Sequence, residues 1–166
     1  MRRFLDSLYG AAGLLAGLCM IGVLVSVLAA IIARQMGWNI PGTDAYAGYF
    51  MAAAGFLALA STFKHGEHIR VTLLLNSLSQ RSGRRLDLFA LAAGSVLAAA
   101  FAWFSIKLVH DSRVFNDIST ANDATPLWIP QISMAVGTVL FLVSLVDELV
   151  RRLRGIPGPT SQQTHE

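Results

Sequence analysis

The stretch Ala11–Ala33, twenty-three residues without a charge, constrains this chain more than any other feature. An α-helix rises about 1.5 Å per residue, so such a stretch crosses a hydrocarbon layer of about 30 Å. Three more uncharged stretches follow: Ala45–Phe63, Leu88–Ile106 and Leu127–Val146. Hydrocarbon offers backbone N–H and C=O groups no partner, so each stretch is predicted to be a helix. Pro130 is tolerable in the first turn of the fourth, where its missing N–H has no intrahelical role. Charged residues make only 14% of the 166-residue chain and the mean hydropathy is +0.56. A soluble core of this length cannot bury so much apolar surface. The expected architecture is an all-α integral membrane protein with four transmembrane helices, one domain over residues 1–154 with spans at about 11–33, 45–63, 88–106 and 127–146. The Pro/Gly-rich, polar residues 155–166 read as a disordered tail. The first stretch exceeds the 7–15 apolar residues of a signal peptide, so it is read as a retained span despite Arg2 and Arg3 before it.

The basic residues orient these spans. The N-terminus, the segment between spans two and three, and the C-terminus together hold ten Lys and Arg; the other two connections hold Arg34, Lys107 and Arg113. The positive-inside rule then places both termini in the cytoplasm. The net charge of +3 is spread between apolar blocks rather than gathered on one face, which argues against a nucleic-acid partner. Asp44, Asp111, Asp117 and Asp123 fall on the outer side, as do Trp38 and Trp128, residues suited to an interfacial aromatic belt.

The densest polar cluster is Lys64, His65, Glu67, His68 and Arg70, just after the second span. His65 and His68 with Glu67 make an incomplete metal site without a third strong ligand, so no metal is expected. Lys64 and Arg70 suit phospholipid phosphates at headgroup level. Val71, Leu74, Leu75 and Leu78 then follow helical spacing, which predicts a short amphipathic helix in the cytoplasmic interface; a bent continuation of the second helix fits the same spacing.

Chemistry inside the membrane needs ionisable groups there, and the four span cores contain none. Asp147 and Glu148 stand at i, i+4 to Arg151 and Arg152, the spacing of helix-surface ion pairs. The four histidines are not paired across one membrane depth as a haem site needs, and the single cysteine, Cys19, excludes a dithiol oxidoreductase. No phosphate-binding glycine loop or nucleophile elbow is present. Neither enzymatic activity nor a cofactor is expected. Helix-packing notches are present instead: Gly13 with Gly17, Gly48 with Ala52, Ala90 with Gly94, and Ala98 with Ala102.

"GEHIRV", residues 66–71, followed by "TLLLNSL", resembles the signature of the small permease subunit of tripartite ATP-independent periplasmic (TRAP) transporters, the DctQ family. The family pattern is roughly G-x-H-I-x-V-D; Gly66, His68, Ile69 and Val71 match, and Thr72 stands where the family has Asp. "NIPGTDAY" keeps one outer acid, Asp44, and "TPLWIPQ", with Trp128 and Pro130, resembles the family's approach to its fourth span. The resemblance covers roughly residues 5–154.

The resemblance implies a scaffold subunit. It would pack beside a large TRAP permease subunit that carries an organic acid with sodium, fed by a periplasmic substrate-binding protein. On that reading Lys64, Gly66, Glu67, His68, Ile69, Arg70 and Val71 are candidate contacts to the large subunit or to lipid. Asp44, Trp128 and Pro130 are outer-side candidates, and Asp111, Asp117 and Asp123 are candidate docking acids for the periplasmic protein. The alternative is a stand-alone four-helix carrier or channel working as a homo-oligomer, whose expected mark, an intramembrane acid, is missing from the spans.

Overall fold

A computed structural model describes residues 2–38, 40–64, 80–121 and 123–154. They form four helices: α1 (Arg2–Gln35), α2 (Thr43–Lys64), α3 (Gln80–Val114) and α4 (Trp128–Leu153). All four contain stretches long and apolar enough to cross a membrane: Ser7–Gln35, Thr43–Phe63, Arg85–Val114 and Trp128–Leu153. Among the described residues there is no β-strand, only an isolated antiparallel bridge between Ile118 and Pro126. The described residues are therefore all-α in class, as the apolar stretches require. The segment expected to form an interfacial helix and the polar tail lie outside the described residues.

Each helix outruns its apolar core where the chemistry allows. α3 continues past Ile106 through Lys107, His110 and Asp111 to Val114. Charged side chains do not end a helix; they only need water or headgroups around them. α1 ends for a local reason. Gly37 has φ +71°, Trp38 N–H donates to Ala33 O at 2.8 Å, and Gly37 N–H donates to Arg34 O at 3.4 Å. This is the Schellman arrangement, in which a left-handed glycine satisfies the last carbonyls.

The helices do not pack in chain order. α2 and α4 form the central pair, α1 lies on α2, and α3 lies on α4. The contacts are made by small residues. α3 buries Ser95, Ala98, Ala102 and Ser105 at alternating three- and four-residue steps, and Ser112 one heptad further on, as in a coiled-coil seam. Its large residues face outward: Phe89, Val96, Leu97 and Trp103 are each about 70% exposed. α1 buries Tyr9, Ala12 and Ala16 and exposes Leu14, Leu15, Leu18, Leu24 and Leu28, and α2 buries Ala53, Ala54, Leu57 and Ala60. Such a pattern would be inside out in water. In lipid it is favourable, because tails solvate Leu and Phe as well as a protein does, while small residues let helices approach.

Among the described glycines, the tightest approach is at Gly137 of α4. A Cβ there would overlap the backbone carbonyl of Phe56 on α2. On α1, a Cβ on Gly13 would stand 2.9 Å from Ser61 Oγ, and one on Gly22 would stand 3.0 Å from the Phe50 ring. Of the notches expected from sequence, Gly13 and the pair Ala98–Ala102 lie in interfaces, whereas Gly17 and Gly48 face open space. Phe63 meets Phe141 edge-on at 5.9 Å, and Phe56 stacks with Phe101 at 6.1 Å.

Buried hydroxyls answer to their own helices. Ser95 donates to Leu91 O (2.7 Å), Ser105 to Phe101 O (2.8 Å), Thr138 to Met134 O (2.9 Å) and Ser144 to Phe141 O (2.7 Å). This bonding to the preceding turn satisfies these four hydroxyl protons without water or a second helix.

Candidate functional site

The two ends of the bundle carry its polar chemistry. At one end lie the α1–α2 turn and the α3–α4 loop, residues 36–42 and 115–127. The loop is folded on itself: Ser119 N–H donates to Thr125 O (2.9 Å), Leu127 N–H to Asp117 O (3.0 Å), and Asp117 N–H to Ser112 O (2.9 Å). Asn116 and Ala124 take the left-handed conformation, at φ 53° and 48°. Asn tolerates it; Ala does so at a cost that the surrounding hydrogen bonds offset.

α2 holds this loop down. The Tyr49 hydroxyl lies 2.8 Å from Ser119 Oγ and 3.1 Å from Asp123 Oδ2. A carboxylate only accepts, so the phenol proton goes to Asp123 and Ser119 meets the phenol lone pair. Thr125 Oγ1 and the Tyr46 hydroxyl lie 3.4 Å apart, a contact in which Tyr46 can donate, and the Tyr46 and Tyr49 rings meet edge-on at 6.1 Å. Gly42, at φ +84°, lies against Asp123; a Cβ there would be 2.6 Å from the Asp123 Cβ. Hydrogen bonding, from Thr125 first and also from Tyr49, holds the Asp123 carboxyl below the usual carboxylate range, against the opposing pull of desolvation. Across the loop, the Arg113 guanidinium sits 5.6 Å from the Trp128 ring centre, a cation–π contact joining α3 to α4.

The expected outer residues therefore differ in kind. Asp123 is half-buried and engaged in the loop's own structure. Asp117 is exposed, and its backbone rather than its carboxylate does the bonding. Asp111 is half-buried near the end of α3. Asp44 is exposed in the first turn of α2, where a carboxylate is favoured by the helix dipole. Trp128 opens α4 under Arg113, and Pro130 follows in the first turn, its carbonyl accepting from Ser133 Oγ at 2.7 Å. Tyr46, Tyr49 and Gly42 escaped the sequence reading; a pair of tyrosines at i, i+3 near a span end was the available signal.

At the opposite end, Arg152 of α4 bridges two acids. It is ion-paired with Asp87 of α3 and hydrogen-bonded through Nε to Glu148 Oε1 at 2.9 Å. Arg151 Nη1 lies 3.6 Å from the other oxygen of Glu148. The expected Glu148–Arg152 pair is thus formed, while Arg151 turns to Glu148 rather than to Asp147. Glu148 is 8% exposed, and one carboxylate serving two guanidiniums makes that burial tolerable.

The polar block after the second span stands apart. Lys64 is the last residue of α2 and its side chain is not described; Gly66, Glu67, His68, Ile69, Arg70 and Val71 lie outside the described residues. Among the described residues, no three His, Cys, Asp or Glu side chains gather as a metal site would require.

A family model for the DctQ component of tripartite ATP-independent periplasmic transporters matches residues 23–155. The chain belongs to the DctQ family. That match spans the end of α1 and all of α2, α3 and α4, including the α2–α4 core and both polar ends. A comparison with curated proteins gave no match. DctQ proteins are transporter components that work in the tripartite TRAP system with a large permease and a substrate-binding protein. Four helices able to span a membrane fit a multi-pass membrane subunit of that system.

Proposed function

We propose that this DctQ chain is the small subunit of a TRAP-type secondary transporter for organic acids. It packs against the large permease subunit as part of the fixed scaffold for sodium-coupled uptake, while a periplasmic protein delivers the substrate. The observation that carries this reading is the match over residues 23–155 to a family whose members work with a large permease. The composition of the spans supports it. Between Asp6 and Arg34, Asp44 and Lys64, Asp87 and Lys107, and Trp128 and Asp147 there is no charged residue to escort an acid or an ion. What the interior offers is small residues and hydroxyls bound to their own helices, which suits a scaffold.

In this reading both termini face the cytoplasm of the bacterial inner membrane, as the distribution of Lys and Arg favours. Lys64 to Val71, with the amphipathic run after it, braces the large subunit or the lipid headgroups from the cytoplasmic side. Asp111, Asp117 and Asp123 lie at the periplasmic end, available to the substrate-binding protein to the degree that the loop leaves them free. Co-purification tests the reading. A tagged chain expressed with its candidate permease in mild detergent is expected to bring down a large multi-span protein. Recovery of the chain alone, or acid uptake into liposomes by the chain alone, refutes it.

A further inference from the structure

A cleft of about 560 Å³ opens at the end of the bundle that carries the 36–42 turn, bounded by the last turn of α1, that turn, the start of α2 and Ala121 of the loop. Its volume is within the range of about 300–1,000 Å³ typical of small-ligand sites. Two charged side chains line it, Arg34 at the end of α1 and Asp44 at the start of α2. Both are exposed, and among the described residues neither forms an ion pair with the other or with any other side chain. Opposite charges sharing a cleft without pairing leave a cation-binding and an anion-binding group both available. Neighbouring Trp38, just past the end of α1, is 60% exposed, and an indole beyond a span end suits the boundary between headgroups and tails. Below it, Ile31 and Ile32 expose an apolar α1 surface leading away from the cleft toward the middle of the span.

We infer that this cleft binds the headgroup of a zwitterionic phospholipid with a primary ammonium, phosphatidylethanolamine. The phosphate goes to the Arg34 guanidinium, whose fork matches phosphate oxygens. The ammonium, with three N–H donors, goes to the Asp44 carboxylate, and the acyl chains run down the α1 face. The two charges select the headgroup. Phosphatidylglycerol has the phosphate but no cation for Asp44. Phosphatidylcholine has a cation that cannot donate a hydrogen bond. An inorganic anion would meet Asp44 as a repulsive neighbour, and a metal ion would find one carboxylate, too few ligands to hold it.

The test is lipid retention by the full chain, purified, delipidated and titrated with each of the three phospholipids in mixed micelles. Native mass spectrometry reads the bound lipid. Phosphatidylethanolamine is expected to be retained about tenfold better than phosphatidylcholine, the scale of one charge-assisted hydrogen bond. Asp44→Asn should abolish that preference while leaving phosphate-dependent retention; Arg34→Gln should lower retention of both lipids. Both positions are exposed, and circular dichroism checks that the variants stay helical. Equal retention of the three lipids, or an unchanged preference in Asp44→Asn, overturns the inference. So does competition by soluble glycerophosphoethanolamine at concentrations similar to the lipid, which would mark a site for a soluble ligand. Unaltered lipid retention in both variants with lost capture of the periplasmic binding protein would make the cleft a protein-docking surface and also overturn it. None of these outcomes depends on whether the chain co-purifies with a permease.

Discussion

Gly137 of α4 lies so close to Phe56 of α2 that only a hydrogen atom fits between them. A Cβ would strike the Phe56 carbonyl, and backbone cannot rotate away as a side chain can. Gly137→Ala is therefore expected to destabilise the chain by about 1–3 kcal/mol, the usual cost of overpacking, and Gly137→Leu by more. Gly17→Ala, on the same scale, should be neutral or slightly stabilising, because a Cβ there meets nothing within 4 Å and Ala is the better helix former. Unfolding titrations in mixed micelles measure both.

Tyr49→Phe removes the hydrogen bonds to Ser119 and Asp123 while keeping the ring. The loop from 115 to 127 should then open more often, seen as faster hydrogen exchange at the Ser119 and Leu127 amides and as earlier proteolytic cutting. The spans should remain protected. Equal loss of protection in α4 would mean that Tyr49 supports the bundle rather than the loop.

Asp123 gives the loop a pH dependence of known sign. Its folded carboxyl titrates below the ordinary value of 3.8. A group with a depressed folded pKa contributes stability above its unfolded pKa and loses it as pH falls toward the folded one. Loop protection, corrected for the intrinsic exchange rate, should be flat from neutral pH down to about the ordinary aspartate value and fall below it. Asp123→Asn should flatten the fall.

Arg152→Met removes one guanidinium that serves Asp87 on one helix and Glu148 on its own. The expected cost is about 2 kcal/mol, for hydrogen bonds to charged partners that are largely screened from solvent. In a double-mutant cycle, Asp87→Asn and Arg152→Met should be less than additive, since each removes the same contact. Additivity would show that the bridge contributes nothing of its own.

The three outer acids are expected to separate in function. Asp111→Asn with Asp117→Asn should weaken capture of the periplasmic protein most at low salt, because such steering is screened within about a Debye length. Asp123→Asn should act on capture only through the loop. Unchanged uptake by Asp111→Asn/Asp117→Asn at limiting binding protein sinks the docking role.

The parts of the fold legible in sequence are those a bilayer imposes by itself. A run such as Ala11–Ala33 admits few structures in hydrocarbon, and Glu148 four residues before Arg152 admits few partners. Interhelical matters were not legible. Gly137 sits in an apolar run like several other glycines, and nothing local says that it faces Phe56, 81 positions away, while Gly17 faces open space. Asp87 and Arg152 are 65 positions apart and could be joined only once α3 and α4 were known to be neighbours. The role of Tyr49 was not legible in the sequence because its partners, Ser119 and Asp123, are loop residues 70 and 74 positions away. Asp123 was grouped with Asp111 and Asp117 by charge and side of the membrane, and neither reveals which carboxylate its own loop has already claimed.

The spatial order of the helices, with α4 between α2 and α3, bears on how the chain is made. A ribosome delivers α1, α2 and α3 before α4 exists. Until the last span leaves the translocon, the first hairpin and α3 share little beyond the Phe56–Phe101 ring contact. The final helix must then slide laterally between two neighbours already in lipid, its glycine and hydroxyl face leading. Side chains that shrink a helix surface thus also ease its late arrival, and a chain cut short before Trp128 would leave two halves with no keystone.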